Sequence, residues 1–205
     1  MGREKKLASA GRESFVDAVL DMLDEGTGIR DLNLRAVAKR VGCAHTNAYN
    51  YFASFEELLW WSLRGALERM IEFTDPETED LVAGYIAFAL EHPAWYRLIW
   101  LDPLGGEPPA SVKEYLPVPA GVFERWVEEH LGGARGIDVE RATRILHGYL
   151  HGELAAIVSG RLAGSRDELT ERVQSGADVL IGALFTQKRG LRSEARSSLR
   201  NRVAE

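Results

Sequence analysis

Apolar residues recur at helical spacing along almost the whole of this chain and nowhere alternate with polar ones. Phe15, Val19, Met22 and Leu23 make one stripe, and Leu34, Val37, Ala38 and Val41 make a second. A third and longer stripe runs through Phe55, Leu58, Leu59, Leu63, Ala66, Leu67 and Met70. An apolar set that returns every three or four residues can be buried together only on a helix, whereas a half-buried strand needs a period of two. The spacing therefore predicts an all-α fold with no sheet.

At 205 residues, 45% hydrophobic and 27% charged, the composition is that of a soluble globular protein with a substantial core. No apolar run approaches the roughly 18 to 20 residues of a membrane span. The N-terminus is charged and resembles no secretion signal, and a single cysteine, Cys43, excludes an internal disulfide framework. A cytoplasmic location is expected. The net charge of −6 disfavours binding nucleic acid through bulk charge, but both ends are locally basic. Arg3, Lys5 and Lys6 lie before Gly11, and Lys188, Arg189, Arg192, Arg196, Arg200 and Arg202 lie near the C-terminus. Specific DNA contact needs a local face, not a basic average.

Punctuation divides the pattern. A first helix is expected over residues 12–25, stopped by Gly26 and Gly28. Asn33 reads as the N-cap of a short helix that Gly42 ends, and a third helix covers 44–51. Ser54 caps a long helix reaching about residue 73. A second block starts at Asp75-Pro76, with helices over 77–91 and 93–101. Residues 102–121 hold five of the seven prolines and read as one long functional or mobile loop. Helices over 122–131, 138–162 and 166–188 follow, then a polar basic tail expected to be frayed or disordered. The expected domains are residues 1–54, a helix-turn-helix unit; 55–188, a larger helical body joined to it by a long helix; and 189–205, a flexible tail.

The stretch from Val41 to Phe52, VGCAHTNAYNYF, carries many hydrogen-bonding side chains and little core. Two short helices joined by a glycine turn and steadied by a longer preceding helix make a helix-turn-helix, whose second helix enters the major groove. Such a helix needs apolar groups only toward its own domain, here Ala48 and Phe52. His45, Thr46, Asn47, Tyr49 and Asn50 are then free to face outward. Asn47 can pair with an adenine edge and the methyl of Thr46 can meet a thymine methyl, while Tyr49, Asn50 and Tyr51 suit phosphate oxygens. Asn33, Arg35 and Ala44 complete the expected DNA-facing set.

Residues 32–59, LNLRAVAKRVGCAHTNAYNYFASFEELL, resemble the tetracycline-repressor (TetR) family of transcriptional regulators. The likeness lies in the pair Val37-Ala38, then Val41-Gly42, then Tyr49 to Phe52 as Tyr-x-Tyr-Phe, then Ser54 and Glu56. It implies a DNA-binding regulator, most often a repressor, that dimerises through its last two long helices. Two positions depart from the family pattern. Ala44 stands where a serine or threonine is usual, removing a helix cap, and Phe55 stands where a lysine is common. By the resemblance that lysine touches a DNA phosphate, and its loss is expected to weaken backbone binding or shift it to Arg35, Lys39 or the N-terminal arm.

In the body, Gly148, Gly152, Ala156 and Gly160 recur every four residues on one expected helix. Each helical glycine costs roughly 1 kcal/mol relative to alanine, so the row asks for a close helix approach. Leu169, Val173, Gly176, Ala177, Leu180 and Leu184 offer a matching stripe. A two-fold four-helix seam would bury both, and would set two recognition helices about 34 to 36 Å apart, or somewhat more, on a near-palindromic operator.

The segments HPAWYRLIW and LHGYLHG resemble, more loosely, the C-terminal domain of one TetR subgroup. Aromatic residues gather around the first of them. Trp95, Tyr96, Trp100, Phe123 and Trp126, with Tyr85 and Phe88, could line an apolar effector cavity or be plain core. His147 and His151, four apart, join that candidate site as polar tips. No third ligand follows at a metal-binding spacing, so no metal and no cofactor are expected. No HExxH, GxSxG, phosphate loop or dinucleotide fingerprint occurs, and no enzyme activity is expected. The sequence thus predicts a homodimeric regulator released from double-stranded DNA by a small, largely apolar effector. Two alternatives stand beside it: a DNA-binding protein without an effector, controlled by a protein partner, and a helical enzyme or carrier that does not bind DNA.

Overall fold

The computed structural model describes residues 11–74, 80–131 and 138–202, with side chains for 11–74, 80–129 and 138–184. The basic arm of Arg3, Lys5 and Lys6 and the helix start at Asp75-Pro76 lie outside the described residues. Every regular element within them is helical. In order they are α1 (Arg12–Asp24), α2 (Leu34–Val41), a 3₁₀ segment (His45–Asn50), α3 (Phe55–Phe73), α4 (Leu81–Glu91), α5 (Pro93–Trp100), α6 (Ala110–Lys113), α7 (Val118–Leu131), α8 (Val139–Val158) and α9 (Arg166–Arg202).

Packing divides the chain into two compact units. The first is residues up to Phe73 with Phe88–Val118, and the second is Thr74–Ala87 with Pro119–Glu205. These units are drawn by packing, whereas the division at residue 54 is drawn by role, and the two need not coincide.

In the first unit α1 is the centre. Phe15, Val19 and Leu20 are fully or almost fully buried and meet Leu58 and Ala66 of α3 in one core. At Gly65 the two helices meet closely: a Cβ there would stand 2.7 Å from Cγ1 of Val16, so any larger residue would force that side chain to shift. Phe15 also holds the chain just beyond the 3₁₀ segment. Its ring lies 5.9 Å from Phe52 in an edge-on contact and 6.0 Å from Tyr51. The end of α1 is tied to the chain before α5, where His92 Nδ1 lies 2.7 Å from the Asp24 carboxylate and the imidazole stacks on Trp95 at 3.9 Å. Trp95 in turn donates its indole N–H to the carbonyl of Leu20 at 2.9 Å.

The proline-rich stretch, expected as one long loop, is interrupted by α6 and ends early where α7 begins at Val118. Pro109 stands at the N-cap of α6 and Pro119 in the first turn of α7, positions where the missing N–H is not needed. The remaining irregular part is pinned rather than loose. Trp60 donates to the carbonyl of Gly105 at 2.9 Å, and Arg64 stacks over Tyr115 at 4.8 Å. At the other end, the expected frayed tail is helical backbone as far as Arg202. Residues 189–202 contain no proline and are mostly Arg, Ser, Leu, Ala and Glu, so nothing local stops the helix.

In the second unit α8 and α9 pack as an antiparallel-type pair through Leu146, Leu150, Leu154, Val173 and Ala177, all fully buried. Both start on side-chain caps. Asp138 accepts from the N–H of Arg141, and Ser165 and Glu168 accept from each other's N–H. Helix α8 stops at Val158, four residues before the expected end, because Gly160 takes a left-handed conformation (φ +72°) and closes it.

Because Phe15 links α1, α3 and the 3₁₀ segment, Phe15→Ala should destabilise the first unit by about 3 to 5 kcal/mol. Chemical denaturation followed by tryptophan fluorescence would measure it, and a loss below 1 kcal/mol would show that Phe15 is not central.

Candidate nucleic-acid interface

The first unit carries the expected helix-turn-helix. Asn33 caps α2, its side-chain oxygen accepting from the N–H of Ala36 at 3.0 Å. Gly42 (φ +81°) ends the helix in the left-handed region, and the N–H of Cys43 returns to the carbonyl of Ala38 at 3.0 Å. The turn delivers the chain to Ala44 and the segment beyond it.

That segment is a 3₁₀ helix of six residues, His45–Asn50, where the sequence predicts an α-helix over 44–51. Its bonds run from Asn47 N–H to Ala44 and from Tyr51 N–H to Ala48, both 2.9 Å. Three causes act together. Ala44 offers no capping side chain, Thr, Asn, Tyr and His are middling helix formers, and few inward groups impose a register. Ala48 and Phe52 are the inward anchors, 0% and 2% exposed. His45, Thr46, Asn47, Tyr49 and Asn50 are all exposed, Tyr49 at 58%. Tyr51 is half-buried against Phe15, so its ring belongs partly to the core.

Ser54 caps α3 as expected, accepting from the N–H of Glu57 at 3.2 Å. The reciprocal partner is Glu57, whose carboxylate accepts from the N–H of Ala53 at 2.7 Å. The Ser54 and Glu56 likeness points to the wrong acid: the cap uses Glu57, at the ordinary Ser-x-x-Glu spacing. Glu56 is also affected. Hydrogen bonds from its own backbone N–H and from Ser54 hold its carboxyl below the usual range. Phe55 is half-buried.

Cations around the segment divide into tied and free. Arg40 forks onto Glu25, with Nη1 to Oε2 at 2.8 Å, and Asp21 lies 3.7 Å away. The fork lowers the Glu25 carboxyl and raises the Arg40 guanidinium. Arg35 and Lys39, on exposed turns of α2, hold no acid among the described residues.

The nine expected effector residues fall into both units. Phe88, Trp95 and Tyr96 are buried in the first, with Trp100 38% exposed. Tyr85, Phe123 and Trp126 are buried in the second, with His147 and His151 half-buried beside them. There Tyr85, Phe123 and His147 form a triangle of rings 5.7 to 6.4 Å apart, and His151 stacks parallel to His147 at 6.1 Å. Burial lowers both histidines from their ordinary value, and the neighbouring His151 lowers His147 further, so both imidazoles are neutral at pH 7. Among the described residues no three His, Cys, Asp or Glu gather closely enough to hold a metal ion.

The residues of the expected seam separate likewise. Val173, Gly176 and Ala177 are used inside the chain, Gly176 by receiving Tyr149, whose hydroxyl would overlap any Cβ there. Leu169, Leu180, Leu184 and Ala156 are half-buried, and Gly160 lies in the turn beyond α8. Gly148 and Gly152 are exposed, and among the described residues a Cβ on either would meet no atom within 4 Å. Ile145 (37%) and Val179 (71%) are exposed apolar side chains on the same two helices.

Restoring a cap at the start of the 3₁₀ segment gives a direct test of its origin. Ala44→Ser should raise stability by about 0.5 to 2 kcal/mol, read as a higher unfolding midpoint, with no gain expected for Ala44→Val.

Comparisons with known proteins bear on the family and the fold. Residues 79–180 match the family described as tetracyclin repressor-like, C-terminal domain. Comparison with curated protein sequences finds no match. The fold is similar to a protein of unknown function from a Rhodococcus species (TM-score 0.64, 21% identity, 88% of this chain and 98% of that one). It is similar also to a transcriptional regulator from Aquifex aeolicus (TM-score 0.61, 17% identity, 82% and 98%). A third is the transcriptional regulator FadR from Bacillus subtilis, in complex with stearoyl-CoA (TM-score 0.61, 14% identity, 83% and 98%). Among the described residues no helix is long and apolar enough to cross a membrane.

Proposed function

The chain belongs to the TetR family of transcriptional regulators, and from that premise we propose that it is a homodimeric repressor released from its operator by a small, largely apolar effector. The observation that carries the DNA-binding part is the row of exposed polar side chains, His45, Thr46, Asn47, Tyr49 and Asn50, hung on buried Ala48 and Phe52. Nothing in the chain's own packing calls for five hydrogen-bonding groups there, whereas a major groove does. Arg35 and Lys39 supply phosphate contacts beside it, and Asn33 fixes where α2 begins.

The dimer forms through α8 and α9. Gly148 and Gly152, open on the chain's surface between Ile145 and Val179, permit the close approach of a second copy. The effector binds in the second unit, where Tyr85, Phe123 and Trp126 give an apolar wall and neutral His147 and His151 give hydrogen-bonding tips. The FadR complex with stearoyl-CoA supports the view that this fold admits a ligand with a long acyl chain. The ligand needs only to favour one spacing of the two DNA-binding units over the other, a coupling of about 1 to 3 kcal/mol.

Selecting bound fragments from random DNA, then screening small molecules for release, tests both halves. Enrichment of a near-palindrome is expected, and no enrichment at low salt would return the protein to the enzyme or carrier class. Enrichment without release by any apolar ligand would favour control by a protein partner, a reading consistent with the tight burial of Tyr85. Tyr49→Ala should weaken binding about ten-fold or more on every sequence alike, as a phosphate contact would. Gly152→Leu should leave the chain folded but monomeric in sedimentation velocity. A dimeric Gly152→Leu would place the seam elsewhere.

A further inference from the structure

We infer that Arg12, at the first turn of α1, is a DNA-phosphate contact built onto the end of the recognition segment, an inference that rests on the DNA-binding reading above. The residues from His45 to Phe52 include no lysine or arginine, so the charge that neutralises the phosphates must come from elsewhere in the first unit. Four of the candidates are already occupied. Arg40 is held by Glu25, Arg64 by Glu68 at 2.8 Å, Arg69 by Asp17, and Arg97 by Asp102 at 2.8 Å. Arg12, Arg30, Arg35, Lys39 and Lys113 hold no acid among the described residues.

Of these five, Arg12 is fixed against the segment itself. Its Nη2 donates a long hydrogen bond of 3.5 Å to the carbonyl of Tyr51, and its guanidinium lies 4.2 Å over the ring of Trp61. Stacking fixes the plane of the group while leaving its edge available, and a guanidinium has five N–H donors, of which the Tyr51 carbonyl takes one. The side chain is exposed, and it adjoins the end of the segment that carries Tyr49 and Asn50. A cation held in that orientation costs little to order when a phosphate oxygen arrives.

A brace and a phosphate ligand respond differently to salt. The full-length protein would be titrated, from 50 to 200 mM NaCl, with a duplex that it has itself selected from random DNA and with poly(dA-dT). Arg12→Gln should reduce the slope of log K against log salt by about 0.9 per bound chain, so that its affinity deficit shrinks about 3.5-fold per chain across that range. The deficit should be alike on both DNAs, and Arg12→Lys should keep the parent's slope. Arg12→Gln with the parent's slope, even if weaker or less stable to heat, would overturn the inference and leave Arg12 as a brace for Tyr51 and Trp61. A parent that retains neither DNA at 50 mM would overturn the DNA-binding reading and this one together, an outcome distinct from an unchanged slope.

Discussion

The contact of Phe15 with Phe52 and Tyr51 is the constraint on which the exposed polar segment of the first unit depends. The segment that faces outward contributes Ala48 and Phe52 to the core and nothing else that is fully buried. Ordering each of its residues opposes folding by about 1 to 2 kcal/mol of backbone entropy, while burying one phenylalanine returns about 1.5 to 3 kcal/mol. Such a segment cannot hold its own shape. It is held because α1 and α3 already meet at Gly65 and present Phe15 at the place where the segment ends in Tyr51 and Phe52. A polar recognition surface is thus possible only on a scaffold whose own packing is complete without it.

That dependence explains what was legible in the sequence. Signals contained within a few residues were read correctly: Asn33 and Ser54 as caps, Gly42 as a left-handed stop, Ala48 and Phe52 as the inward pair. The all-α class followed from periodicity alone. What failed depends on balance or on distance. The 3₁₀ form of His45–Asn50 reflects small competing preferences around Ala44 and not any one residue. The division of the aromatic residues between two units could not be read, because Trp95 meets Leu20 across 75 positions and nothing local announces it. Prolines misled in the opposite sense. Their density between 102 and 121 suggested a loop, yet Pro109 and Pro119 sit where helices tolerate them.

Charge in the first unit follows a similar logic. A chain of net −6 can still approach DNA if its cations are unevenly engaged. Arg40 pairs with Glu25, which caps α1, and Arg69 with Asp17 of α1, and these pairs tie α2 and α3 to α1. Being largely exposed, each contributes little stability on its own. Their consequence is to remove two guanidiniums from the set that can meet phosphate, leaving Arg12, Arg35 and Lys39 around the segment. The local field there is therefore decided by pairing, which composition cannot express.

The second unit poses a sharper question, because its glycines are not equivalent. Gly176 is explained inside the chain: Tyr149 fills the space where a side chain would be, and its hydroxyl reaches the carbonyls of Arg172 and Val173 at 3.4 Å. Gly148 and Gly152 have no such explanation. They sit in mid-helix, each costing roughly 1 kcal/mol against alanine, and no described residue stands against them. An isolated protomer would be more stable with alanine at both. Glycine there makes physical sense if another backbone comes close, and the exposed Ile145 and Val179 supply the apolar surface for that approach. Since α8 and α9 form one packed pair, a second copy laid on this face would hold both helices at once, and any effector that shifted His147 or His151, on the same helix as the glycines, would act on that seam directly.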